Sequence, residues 1–108
     1  MGKYYKYRVR PPFGKPTELL LEFQLNRSNL EFLHVLTETL ESINAQIVFK
    51  EDMWVNDELL ATFSSKQGDF HLSIDIWDNA FILANNNPSC ILAIDNELTN
   101  SPYFEKAT

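Results

Sequence analysis

Four groups of residues in this chain have types and spacings that could do chemistry. Glu31 and His34 stand three apart in a helical pattern, the spacing by which carboxylate-bridged dimetal bundles project two ligands from one helix. Such a centre needs a second pair and further glutamates, and the sequence offers neither. His71 and Asp75 share one face of a predicted strand, four residues and about 13 Å apart, too far for one ion to bridge. Cys90 falls in the first turn of a predicted helix, where the macrodipole lowers a thiol pKa. Packing as a small buried hydrophobe is the competing reading. Ser73 and the other hydroxyl residues lie in no nucleophile elbow, and only two histidines could serve as base. With glycines at 2, 14 and 68 alone, no phosphate-cradling loop can form. The expectation is a protein without catalytic, cofactor or metal site.

The fourth group points to binding. Glu51, Asp52, Asp57 and Glu58 surround Trp54, Asp75 and Asp78 flank Trp77, and Asp69 lies on a nearby turn. Aromatic anchors ringed by carboxylates have the composition of an interface that holds by burial and selects by charge. The charge of the whole chain is sorted in the same sense. Residues 1–16 carry +5, the other 92 carry −11, and the net is −6. A field of that sign attracts basic partners and opposes nucleic acid, although tyrosines interleaved with Lys6, Arg8 and Arg10 could otherwise stack on bases.

These residues must be positioned by one domain, since 108 residues build a single core. A hydrophobic fraction of 44% with fourteen aromatics argues against disorder. One cysteine, the lack of an apolar run of membrane-spanning length and an N-terminus without a secretory hydrophobic segment predict a cytoplasmic protein with no membrane partner. Lys6 also breaks the myristoylation pattern that Gly2 would begin.

Tyr4–Arg10 alternates as an edge strand with Tyr5, Tyr7 and Val9 inward. Pro11-Pro12, Gly14 and Pro16 connect it to a second strand, Glu18–Leu25. Ser28 and Glu31 have capping-box spacing before a helix with Phe32, Leu33, Leu36, Leu40 and Ile43 on one side. Glu31, His34, Glu38 and Glu41 take the solvated side, and Asn44 ends the helix. Strands follow at Gln46–Lys50 and Leu59–Ser64. A turn at Lys66–Asp69 leads into Phe70–Trp77, where Phe70, Leu72, Ile74 and Ile76 face the core, opposite His71, Ser73, Asp75 and Trp77. Asp78-Asn79 turns into Ala80–Ala84. Asn87 and Pro88 open a last helix to about Thr99, with Ile91, Ile94 and Leu98 inward and Tyr103 and Phe104 folding back as a lid. The predicted fold is α+β: an antiparallel sheet with two amphipathic helices on one face and the other face partly open.

Gly68-Asp69-Phe70-His71-Leu72-Ser73-Ile74-Asp75, Trp77, Phe81-Ile82 and Asn85-Asn86-Asn87, continuing through Ile91, Ile94, Leu98 and Ser101 to Phe104-Glu105-Lys106, form a strand, turn, strand and short-helix pattern. In it the C-terminal half resembles the immunity proteins of bacterial polymorphic toxin and contact-dependent growth inhibition systems. The resemblance implies a small acidic protein, monomer or weak dimer, that blocks a cognate toxin's active site without chemistry of its own. A toxin nuclease would be basic, and an acidic inhibitor would gain association rate as well as affinity. A cytoplasmic adaptor or assembly subunit acting by edge-strand addition is the alternative.

Overall fold

In a computed structural model, residues 5–10, 19–25, 29–53, 58–75, 77, 79–84 and 87–107 are described, with the backbone alone at 29–30, 49–53 and 58. The chain runs β1 (Tyr5–Arg10), β2 (Leu20–Gln24), α1 (Asn29–Thr39), β3 (Gln46–Met53), β4 (Glu58–Ser64), β5 (Phe70–Ile74), β6 (Asn79–Leu83), α2 (Pro88–Thr99) and β7 (Phe104–Lys106). One seven-stranded sheet has the order β3-β4-β5-β6-β2-β1-β7. The fold is α+β as expected, and the sheet is mostly antiparallel. It is mixed because β7 pairs with β1 in parallel, Tyr5 opposite Phe104 and Tyr7 opposite Lys106.

That pairing corrects two expectations. β1 is not an edge strand, and Phe104 is a strand residue rather than part of a lid. The Tyr5 amide donates to the Tyr103 carbonyl at 3.1 Å and the Ala107 amide to the Tyr7 carbonyl at 2.7 Å, which fixes the chain's return. The expected Ser28 cap, the Pro11–Pro16 connection, Ile76 and Asn85-Asn86 lie outside the described residues.

The alternation predicted for the strands decides which face is buried. Tyr5, Tyr7, Leu21, Phe23, Leu59, Ala61, Phe63, Phe70, Leu72, Ile74, Ala80 and Ile82 pack into one core with residues of both helices. From α1 and the 3₁₀ turn Leu40–Ile43 come Phe32, Leu33, Val35, Leu36, Leu40 and Ile43; from α2 come Cys90, Ile91, Ile94 and Leu98. Each set recurs at three- and four-residue intervals, as an apolar helical stripe must. At one end of the core Phe63 stacks on Phe70 with centroids 4.8 Å apart. At the other, Phe104 meets the rings of Tyr5, Tyr7, Phe23 and Phe32 at 5.5–6.4 Å.

The helix ends are set by local chemistry. Thr37 and Thr39 hydroxyls donate to the Leu33 and Val35 carbonyls, competing with the backbone ladder just before α1 tightens into its 3₁₀ turn. Asn44 then takes the left-handed conformation, φ 56°, and reverses the chain into β3. Asn87 caps α2 as expected, its side-chain oxygen accepting from the Cys90 amide at 3.2 Å, with Pro88 in the first turn. Its Nδ2 donates to the Gln67 carbonyl at 3.0 Å, which ties the β4–β5 turn to the helix start. Gly68 sits in that turn at φ 114°, where a Cβ would lie 2.6 Å from Asn87 Nδ2. Backbone freedom and space both require glycine there.

Candidate functional site: the hairpin end and the two faces of the sheet

Trp77 is held out into solvent by a turn that its own sequence builds. Asp75 Oδ1 accepts from the Trp77 amide at 2.9 Å and the Asn79 amide at 3.0 Å, and the Asp75 amide donates to the Asn79 carbonyl at 2.9 Å. An aspartate bonding the backbone two and four residues ahead fixes a tight turn. The indole is therefore presented from a residue whose own amide Asp75 holds, with 74% of the residue's surface exposed. Exposure of a residue of this size is the observation that singles out the turn, since tryptophan is highly buried on average.

The register then shows which other predicted residues come close. Met53 pairs with Glu58 at the mouth of the β3–β4 hairpin, and Leu59 pairs with Ile74, so Glu58 is level with Asp75 on the neighbouring strand. Glu51 and Asp52 occupy β3 opposite Leu60 and Leu59. The backbone thus gathers Glu51, Asp52, Glu58, Asp75 and Trp77 at one end of the sheet. Asp69 belongs elsewhere: it precedes β5 while Asp75 follows it, about 20 Å away along an extended strand. Trp54, Asp57 and Asp78 lie outside the described residues.

The residues with catalytic potential lie apart from this end and from one another. His71 is exposed, with Nδ1 3.2 Å from Thr62 Oγ1 across the β4–β5 pair. His34 Nε2 lies 3.6 Å from Glu38 Oε2 on the solvated side of α1. Cys90 is fully buried. Burial pushes its thiol up from the ordinary value, a hydrogen bond with Ser65 pulls it down, and the nearby Asp69 charge raises it. The net direction is upward, so the helix start does not activate this cysteine. Among the described residues, no three His, Cys, Asp or Glu side chains gather closely enough to hold a metal ion. Tyr7 is buried against α2, where its hydroxyl donates to Asp95 Oδ1 at 2.7 Å and lies 2.9 Å from Thr99 Oγ1. Burial, with Asp95 adding to it, holds the phenol's pKa up to about 12. Lys106 Nζ meets the other Asp95 oxygen at 2.9 Å, so the group joins β1, α2 and β7 and has a structural role.

Two surfaces were not legible from local composition. The helix layer is acidic throughout. Neither α1 with its 3₁₀ turn nor α2 contains a lysine or arginine, while Glu31, Glu38, Glu41, Asp95 and Glu97 all lie on them. Ser42 donates to Glu97, drawing the two elements together beside a groove of about 550 Å³ lined by Glu38, Glu41, Glu97 and Tyr103. Carboxylates near helix C-termini oppose the macrodipole and deepen the negative potential there. Helical spacing alone places Glu38 and Glu41 on one side of their helix, but only the fold brings Glu97 to them.

Among the described residues, no helix lies on the opposite face of the sheet. Leu20 is only 6% exposed yet stands apart from the core, because its register partners Leu83 and Arg10 belong to the outer face. Leu60, Thr62, His71, Ser73 and Leu83 line a shallow depression of about 400 Å³ on this face. Along its β1 margin, Arg8 and Arg10 share a single carboxylate oxygen of Glu22, at 3.7 and 2.8 Å. No helix among the described residues is long and apolar enough to cross a membrane. Comparison with family models, with curated proteins and with solved structures finds no match to this chain.

Proposed function

We propose that the chain is a non-catalytic, cytoplasmic binding protein that neutralises a cognate basic toxin by covering its active site, as immunity proteins do. The observation that carries the reading is Trp77, 74% exposed on a turn whose backbone Asp75 holds by two hydrogen bonds, with Asp75 itself level with Glu58 of the β3–β4 hairpin. A rigid, exposed aromatic loses little conformational freedom on binding, and truncating such anchors accounts for most of the measurable energy of many interfaces. The acidic helix layer adds a long-range field that raises the encounter rate with a basic surface. No cofactor and no nucleic acid enter this reading.

The test is kinetic. Reversing the charges of Asp57 and Glu58 to lysine is expected to slow association with a basic toxin domain about tenfold at low salt, with the difference shrinking as salt is added. Stopped-flow or surface-based kinetics at two ionic strengths would measure it. Unchanged rate and affinity would move the interface away from the hairpin end.

One observation favours the adaptor reading as a second. β3 is an edge strand, and Val48 on it is 62% exposed. A bulge between Ile47 and Phe49 interrupts the regular row of backbone groups that strand addition would use, a common protection of edges. The binding-protein reading is accordingly preferred.

A further inference from the structure

Asp75 closes the β5–β6 hairpin in an irregular way. A hydrogen-bonded pair of an antiparallel ladder exchanges two backbone bonds. Between Asp75 and Asn79 one of them forms, from the Asp75 amide to the Asn79 carbonyl at 2.9 Å. The return bond, from the Asn79 amide, ends on the Asp75 side chain at 3.0 Å. The same oxygen, Oδ1, accepts from the Trp77 amide at 2.9 Å. One atom therefore holds both the mouth of the hairpin and the residue that carries the exposed indole. Ile74 and Ala80 pair immediately inside the mouth and are buried, so the core fixes the base from which Asp75 acts.

We infer that Asp75 serves partner recognition as a positioning residue for Trp77, through the acceptor Oδ1, and not as one of the charges that select the partner. The inference rests on the binding reading above, in which Trp77 is the anchor. Composition groups Asp75 with the carboxylates around the tryptophans, but its bonds set it apart. What the two amides require here is an sp² oxygen on a short stem. A carboxamide supplies that as well as a carboxylate, which is why Asn and Asp both favour such turns. Alanine supplies none. A residue released from its bond must be ordered again when the partner arrives, and that ordering is subtracted from the affinity. The loss falls on the lifetime of the complex, because long-range charge governs encounter and short-range contacts govern release.

Two substitutions that remove the same charge separate the acceptor from the charge, since Asp75→Asn keeps the oxygen and Asp75→Ala does not. In the free chain, hydrogen exchange should find the Trp77 and Asn79 amides protected in wild type and in Asp75→Asn. In Asp75→Ala both should exchange at least about tenfold faster, with the β4 amides unchanged as the sign of an intact fold. In the complex with a basic toxin domain, Asp75→Ala should raise the dissociation rate about tenfold, and Asp75→Asn should recover most of that loss. In a Trp77→Ala background, Asp75→Ala should add nothing further, because its effect passes through the indole. Equal exchange in wild type and Asp75→Ala, equal losses in the Asn and Ala variants, or a fully additive loss in the Trp77→Ala background would each overturn the proposal. The exchange measurement needs no partner. Amides freed only in Asp75→Ala, beside a Trp77→Ala variant that binds as tightly as wild type, would leave the hairpin chemistry standing and overturn the toxin-site reading together with the recognition role of Asp75.

Discussion

Phe104→Ala is expected to cost about 3–5 kcal/mol of folding stability, the range for truncating a buried phenylalanine. Phe104 is fully buried and its ring meets four other aromatic rings. The vacated space would open between β7 and the rings of β1, β2 and α1, where side chains from those three elements must all move to refill it. A chain of this size has about 5–15 kcal/mol in total, so the variant should unfold at a much lower urea midpoint. Glu105→Ala, one residue on and exposed, should change stability by less than about 0.5 kcal/mol. Equal midpoints for the two variants would mean that β7 does not close the core.

Trp77→Ala should do the reverse, leaving the urea midpoint nearly unchanged while weakening the partner complex by about 2 kcal/mol or more, some 30-fold in affinity. The expectation follows from geometry: the turn is held by Asp75 and backbone groups, none of which needs the indole. Calorimetric titration of the partner into wild type and variant measures the affinity, and a denaturation curve on the same sample measures the fold. Undiminished affinity would remove Trp77 from the interface. A large loss of stability would show the indole to be packed rather than presented.

Much of the fold was legible because period and burial agree. Phe70, Leu72 and Ile74 alternate and are buried; Leu33, Leu36 and Leu40 recur helically and are buried. Asn44, Gly68 and Asn87 carry backbone or capping chemistry that few other residues supply, and each stands at the turn or helix end it predicted. β7 was not legible. Three residues are too few to show a period, and Phe104–Lys106 becomes a strand only because β1 offers its second side. The same cause hid the true edges of the sheet, since Tyr5–Arg10 reads equally well as an edge or an inner strand. Of the candidate site, alternation turned Trp77 away from the core, but the predicted strand to Trp77 ends at Ile74, and the turn held by Asp75 is what exposes the indole. The distance between Asp69 and Asp75 was implicit in the strand between them, but grouping by composition passed over it. The acidic layer formed by Glu41 and Glu97 depends on contacts between distant segments, which no local pattern carries.

Binding to a basic toxin is tested most directly by affinity capture of the tagged chain from its native cells at low salt, followed by a high-salt wash and mass spectrometry. The predicted result is one stoichiometric partner with a basic C-terminal domain, released in part by salt, whose isolated toxicity is abolished when this chain is restored. Recovery of the chain alone, or of a cellular complex with no toxic component, would contradict it.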